Sequence, residues 1–206
     1  ESGSEKWSGT TQASASAGSV SLSDAAAYIY RTSPAPTFGA VGGEWAVTGV
    51  ARSGFSAPES WYAAYFSALS AAVSANKGVL SERKYTEYAR AVLALTAIGR
   101  DPKNVAGYDL LAPLGDYDAV MKQGVNGAVW ALIALDSGNY EVPQISGKST
   151  QATRDMYIKA ILSSELAGGG FSVSGTGAAD PDMTAMALTA LSRHADYSGA
   201  SAVINR

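Results

Sequence analysis

Four stretches of this chain share one pattern, a run of small and apolar residues with helical spacing that ends on a glycine or an equivalent stop. The stretches are Trp45 to Gly54, Val92 to Gly99, Val129 to Gly138 and Thr184 to His194. A period of roughly 40 to 55 residues, made of two helices and a loop, is typical of a helical-hairpin array, in which no unit buries its apolar face without neighbours. The repeat therefore predicts an all-α protein of antiparallel helical hairpins.

The composition supports one globular domain preceded by a tail. Of the 206 residues, 47% are hydrophobic and 16% are charged, which is ordinary for a protein with a sizeable core. Residues 1–20 are a Ser, Gly, Ala and Thr mixture with little to bury, so we expect a flexible tail or linker there. The helical-hairpin repeat domain then covers residues 21–206 with about four hairpins.

Charge and cysteine content exclude several function classes. The net charge is −3 and Lys and Arg are scattered, so nucleic acid is not an expected partner. Without cysteine the chain has no disulfide, thiolate metal site or thiol nucleophile. The longest apolar stretches are interrupted well short of about 20 residues, so we expect no transmembrane segment and no intact signal peptide. If the protein is exported, we expect this to be its processed form.

Capping patterns predict where the helices begin. Ser21 and Asp24 are spaced as a cap and the third helical position, and a second helix is expected from Gly43 or Glu44. Further starts are predicted at Ser56 to Glu59, Ser81, Asp101–Pro102, Ser149 or Thr150, and Asp180–Pro181. A third inner helix is predicted over Gln123 to Ser137, and a last fragment over Ala200 to Arg206.

Three stretches carry a resemblance to a known family. Tyr157 to Phe171 reads YIKAILSSELAGGGF, and Asp180 to Leu191 reads DPDMTAMALTAL. Glu87 to Tyr140 contains ALTAIGRDP, YDLL and QGVNGAVWALIALDSGNY. Together they resemble the α/α toroid with prenyltransferase/squalene-oxidase-type repeats, also called squalene cyclase-like repeats. The chain is most similar to the non-catalytic bacterial surface-protein subgroup.

The resemblance implies that the hairpins form a partial (α/α) toroid. Glu165 stands where the family usually has Gln, and Phe171 where it usually has Trp. The chain supplies fewer hairpins than a closed ring needs, so the resemblance also implies that more chain or a partner covers the open edges. It further implies a secreted or cell-surface location, with which the absence of cysteine and the Ser/Gly-rich start agree.

Asp182 is the candidate catalytic acid. Class II terpene cyclases share this repeat and use an Asp-x-Asp-Asp motif to protonate an alkene or epoxide, and the resemblance places Asp182 in that role. Met183 stands where the motif has its last Asp. The alternative is a helix start without chemistry, with Asp180 as N-cap, Pro181 as first helical residue and Asp182 favoured by the helix dipole.

Other patterns with chemical potential are interpreted as structural. A prenyltransferase-type zinc site needs Asp, Cys and His, and His194 is the one histidine in a chain without Cys, so we expect no metal and no cofactor. His194 is predicted to be a capping cation at a helix C-terminus. Ser81 and Lys84 have the Ser-x-x-Lys spacing of penicillin-recognising acylases, but Ser81 also fits an N-cap. Gly168 to Gly170 is predicted to be a mobile turn.

A candidate ligand-binding set follows from the toroid expectation, since the starts of the inner helices then converge on one mouth of a central cavity. The set is Glu44, Trp45, Tyr85, Asn126, Trp130, Asp182 and Met186. An aromatic and carboxylate mouth suits a small molecule, glycan or peptide. The alternative is that these aromatic residues are ordinary core packing.

Three functions are therefore predicted. The first is a non-catalytic binding or scaffold module of an exported, cell-surface bacterial protein. The second is a terpene-cyclase-like enzyme with Asp182 as general acid. The third is an assembly module that docks through its open terminal hairpin, either by self-association or onto the remainder of a longer chain.

Overall fold

The computed structural model of the chain describes residues 21–40 and 42–206. The predicted tail over residues 1–20 lies outside the described residues. The α-helices are α1 Leu22–Thr32, α2 Glu44–Arg52, α3 Glu59–Ala75, α4 Thr86–Ala97, α5 Tyr117–Val120, α6 Gly124–Ser137, α7 Arg154–Leu162, α8 Pro181–Leu191 and α9 Ala200–Ile204. Short 3-10 helices cover Ala112–Gly115, Met121–Gln123 and Ser192–His194. The predicted all-α class is confirmed, with no strand in the described ranges.

Every second long helix contacts the next one in the series. Helix α2 packs on α4, α4 on α6, and α6 on α8, and we call these four the inner series. Helix α1 packs on α2, and α7 packs on α6. Helix α3 reaches two inner helices, because Tyr65 contacts Glu44 of α2 and Phe66 lies 5.2 Å from the guanidinium of Arg100, which follows α4. The inner series thus forms a continuous row of helix contacts from α2 to α8.

Several helix boundaries are where the sequence predicts them. The Ser21 hydroxyl accepts from the Asp24 amide and the Asp24 carboxylate accepts from the Ser21 amide, which is the predicted capping box. At α8 the Asp180 Oδ1 accepts from the Met183 amide at 2.7 Å, with Pro181 as the first helical residue. Helices α2, α6 and α9 also match their predicted ranges to within a few residues.

Two predicted serine caps are wrong. Helix α3 begins at Glu59 after Pro58, and no side chain caps it, so Ser56 does not serve as its cap. The Ser81 hydroxyl accepts from the Lys84 amide at 2.9 Å, but this bond closes a turn. Helix α4 begins only at Thr86, because the serine turn satisfies local amides without continuing into a helix.

Two other predicted helix starts also differ from the structure. Asp101 accepts from the Lys103 amide at 2.9 Å in a turn that does not become a helix. Helix α7 begins at Arg154, capped by Thr153, rather than at Ser149 or Thr150. Residues Gly168 to Gly170 do form a turn, in which the Leu166 amide donates to the Gly170 carbonyl at 2.9 Å.

Helix α6 ends before Gly138, and the left-handed residue of its C-terminal turn is Asn139. Asn139 has φ 52°, whereas Gly138 has φ −122°. The amide of Tyr140 donates to the carbonyl of Leu135 at 2.8 Å, which closes the helix with the bond typical of a left-handed C-terminal cap. Gly138 is needed for space, since a Cβ there would lie 2.4 Å from the Tyr140 ring. This turn fixes the backbone next to the site described below.

The starts of α4 and α6 are joined by one side chain. Helix α4 has no cap from its own flank; instead Gln123 Oε1 accepts from the Thr86 amide at 3.0 Å, and Gln123 Nε2 donates to the Thr86 hydroxyl at 3.2 Å. One turn further on, a Cβ at Gly127 would lie 2.1 Å from the Val120 carbonyl oxygen. Close backbone packing therefore sets this end of α6.

No helix of the described ranges is long and apolar enough to span a membrane.

Candidate functional site

A cavity of about 360 Å³ lies where the inner series ends. All four helices contribute residues from their C-terminal halves or the turn that follows. Its apolar wall is formed by Leu93 and Ala97 of α4, Ile133 of α6 and Ala190 of α8. Hydroxyl groups of Thr48, Thr96, Ser137, Thr189 and Ser192 also line it. The cavity thus combines an apolar wall with polar groups that can orient a ligand.

Two arginines border the cavity, and they differ in how much they are already bonded. Arg193 donates from Nη1 to the Asp136 carbonyl at 3.0 Å and from Nη2 to Asn139 Oδ1 at 3.1 Å. Arg52, the last residue of α2, is exposed and has no ion pair within the described part of the chain. Arg52 therefore keeps all of its donors free of hydrogen bonds within the described ranges, whereas Arg193 has two of its five engaged.

A buried carboxylate, Asp136, joins three segments beside the cavity. Its Oδ1 accepts from Arg154 Nε of α7 at 2.9 Å, and its Oδ2 lies 2.6 Å from Nε2 of His194, which follows α8. Asp136 is only 7% exposed, so both oxygens need these partners to offset desolvation. The role predicted for His194 is corrected here, because its ring bonds a side chain of α6 instead of capping its own helix.

The carbonyl end of α6 is capped by arginines from elsewhere. Arg154 Nη2 donates to the Tyr140 carbonyl at 2.6 Å and to the Leu135 carbonyl at 3.3 Å. Arg193 donates to the Asp136 carbonyl. Cations are favoured at a helix C-terminus, where they offset the partial negative charge of the free carbonyls. The negative end of α6 and the Asp136 carboxylate are therefore both neutralised from within.

A second cavity of about 340 Å³ lies next to the first and is almost entirely polar. It is lined by Asp136, Asn139, Glu141, Arg154, Arg193 and His194. It shares Asp136 and Arg193 with the first cavity. Among residues 21–40 and 42–206, no three His, Asp or Glu side chains are grouped as a metal ion requires.

The predicted ligand-binding set is partly brought together, between the start of α2 and the middle of α6. The rings of Trp45 and Trp130 have centroids 5.1 Å apart, joining α2 to α6, and Trp45 is 43% exposed. Tyr85 instead pairs with its neighbour Tyr88, at 5.5 Å between centroids. The tryptophan pair is thus the part of the predicted mouth that forms a contact between inner helices.

Glu44, a member of the predicted ligand-binding set, is buried. It is 1% exposed, and its Oε1 accepts from the Gly39 amide at 3.0 Å and from the Tyr65 hydroxyl at 3.4 Å. Its Oε2 is buried and has no hydrogen-bond partner among the described residues. Burial, and next the charge of Glu44, raise the pKa of Tyr65 well above its usual range.

The remaining predicted residues lie apart from the cavities. Asp182 is exposed in the first turn of α8, where Asp180 is the cap, while Asn126 and Met186 are half-buried. None of the seven predicted residues lines the cavities described above. Spacings of three and four residues nevertheless place Trp45 on the same face of α2 as Arg52. Their predicted role in binding stays a prediction.

Sequence reasoning missed the Asp136 cluster. Its signal was a lone acid at the end of the apolar run ALIALD, together with the single histidine. Lone buried acids usually have a partner, but nothing in the sequence says that the partners are Arg154 and His194.

Comparisons of the chain with protein-family models, with curated proteins and with solved structures find no match.

Proposed function

We propose that this protein is a non-catalytic binding or scaffold module that takes its ligand in the cavity at the C-terminal ends of the inner series. The observation that carries this proposal is that four successive helices border one cavity with an apolar wall and a charged rim. Its volume falls within the range of about 300 to 1,000 Å³ that is usual for ligand pockets. The candidate ligands are a small molecule, a glycan or a peptide.

The partial (α/α) toroid and the exported, cell-surface location belong to the same proposal. The stepwise contacts from α2 to α8, with α1, α3 and α7 packed on them, support the toroid. Export rests on the family resemblance, with which the Ser/Gly-rich, linker-like residues 1–20 agree.

Two features favour binding over catalysis. Cyclase chemistry needs an enclosed acid, and Asp182 is exposed at the start of α8. The Asp136 carboxylate is buried and bonds both Arg154 and His194, as a group that joins segments of the fold does. We therefore assign neither acid a catalytic role.

A thermal-shift screen against a small-molecule, glycan and peptide collection tests the proposal. Ligands of the cavity should stabilise the wild type and fail to stabilise Thr189→Trp, because Thr189 is exposed on α8 and a tryptophan there fills the cavity. Ser67→Trp adds the same side chain to an exposed position of α3 that does not line the cavity, and it should keep the shifts. Hits that survive Thr189→Trp, or a screen without hits, contradict the proposal and favour the assembly hypothesis.

A further inference from the structure

We infer that the ligand of this cavity is a monocarboxylate with an apolar group next to it, and that Arg52 binds the carboxylate. This inference rests on the proposed function, and it goes further by naming the chemical class of the ligand and the residue that selects it.

Arg52 is the one cation lining the cavity whose guanidinium makes no hydrogen bond within the described ranges. Arg193 donates two of its five N–H groups, to the Asp136 carbonyl and to Asn139 Oδ1. Arg154 bonds the Asp136 carboxylate and the Tyr140 carbonyl. A guanidinium has five N–H donors in a planar fork that matches the two oxygens of a carboxylate. One free fork favours one carboxylate, whereas a phosphate group with more charge calls for several donors.

The local charge balance permits an anion here although the whole chain is acidic. Two features oppose an anion: the converging helix C-termini, and Glu141 in the neighbouring cavity. The end of α6 is already capped by Arg154 and Arg193, and both oxygens of Asp136 are engaged. Arg52 therefore adds positive charge that no group in the cavity lining cancels.

The same balance disfavours a cationic ligand. The cavity lining holds one carboxylate, Asp136, and both its oxygens already bond Arg154 and His194. An ammonium group in the cavity would have to compete with these two partners. It would also lie close to the exposed guanidinium of Arg52.

The apolar wall of the cavity favours a ligand that carries an apolar group next to its carboxylate. Leu93, Ala97 and Ile133 line the cavity and are partly exposed. The tryptophan pair, on which a sugar ring would stack, does not line the cavity. An aliphatic or phenyl group therefore fits this wall better than a sugar ring does.

Three matched probes test the inference: 3-phenylpropionate, 3-phenylpropionamide and 3-phenylpropylamine share the apolar group and differ in the charge of the head. Dissociation constants are measured by titration calorimetry or ligand-observed NMR at low salt. We expect 3-phenylpropionate to bind at least about tenfold more tightly than the other two, because hydrogen bonds to a charged group are the stronger ones. Its binding should weaken as salt is raised.

Two variants test whether Arg52 causes the preference for the carboxylate probe. Arg52→Gln should lose most of the tenfold preference while still binding the amide. Arg31→Gln removes an exposed arginine of α1 that does not line the cavity, and it should behave like the wild type. Equal binding of the three probes, or a preference that survives Arg52→Gln, overturns the inference while the thermal-shift result still stands. Failure of all three probes to bind also overturns it, and the screen against Thr189→Trp then decides the proposed function separately.

The source of the carboxylate is tested with N-acetyl-Ala-Ala-Phe and its C-terminal amide. If the acid binds at least as tightly as 3-phenylpropionate and the amide does not, the inference is supported with a peptide C-terminus as the ligand. If only 3-phenylpropionate binds, the inference is supported with a small free acid as the ligand. Equal binding of the peptide acid and the peptide amide contradicts it.

Discussion

Each end of the inner series buries an acidic side chain, and the two acids differ in how many of their oxygens are bonded. At the C-terminal end, Asp136 has a partner on each oxygen and joins α6 to α7 and to the segment after α8. At the N-terminal end, Glu44 is more deeply buried, yet one of its oxygens has no partner among the described residues. Buried polar groups stabilise a fold only when they are bonded. We therefore expect charge pairs to hold one end together and close packing to hold the other.

The largest effect should come from Asp136→Asn. This substitution removes the negative charge between Arg154 and His194, leaves Arg154 without its ion pair and weakens the contact with His194. Breaking a buried pair from one side typically costs about 3–5 kcal/mol of unfolding free energy. Urea denaturation measures the loss. Asp196→Asn changes an exposed aspartate outside the described ion pairs and should shift stability by less than about 0.5 kcal/mol. Similar losses in the two variants would remove the distinction between the two ends.

A substitution at the N-terminal end of the inner series should change stability through steric overlap rather than through charge. In Gly127→Ala the new Cβ meets the Val120 carbonyl, so the backbone must shift, and we expect a loss of about 1–3 kcal/mol. Gly49→Ala is the matched control, because nothing lies within 4 Å of a Cβ there. It should stabilise α2 by about 0.5–1 kcal/mol. The melting temperatures of the two variants test this expectation. A stabilised Gly127→Ala protein would contradict the role of close packing.

A pH series tests the phenol beside Glu44. Because burial raises the pKa of Tyr65, the folded state keeps this proton at a pH where the unfolded chain loses it. Stability is therefore complete below the unfolded pKa of about 10 and falls as pH rises above it. Tyr65→Phe should lower the unfolding free energy by about 1 kcal/mol or less at neutral pH. Between pH 9 and 11 the unfolding free energy of the variant should fall less than that of the wild type. Parallel losses in the two proteins would rule out Tyr65 as the titrating group.

The smallest effect is expected for Glu44→Gln. The amide oxygen keeps the bonds from the Gly39 amide and the Tyr65 hydroxyl, and the charge that lacks a second partner is removed. We expect a change in unfolding free energy within about 1 kcal/mol of zero. A loss as large as that of Asp136→Asn would show that Glu44 has a partner as strong as Arg154, and would overturn the comparison.

Local sequence patterns predicted much of the fold, but they could not predict contacts between residues far apart in the chain. The range of α6 and the cap at Asp180 depend on residues within a few positions of each other, and both were predicted. Asp136 bonds residues 18 and 58 positions away, so no window of sequence contains the cluster. The predicted ligand-binding residues lie apart from the cavity lining, because helix periodicity defines a face and leaves the depth along it open.

The contact of Gln123 with the start of α4 has a consequence for synthesis of the chain. A nascent chain that has not yet emerged as far as residue 123 presents α4 with an unfinished first turn, since the group that completes it follows 37 residues later. Helix α4 should therefore exchange its first amides with solvent on the ribosome and protect them only when α6 begins to form. The two helices then mature as one unit during translation, whatever the state of the segment between them.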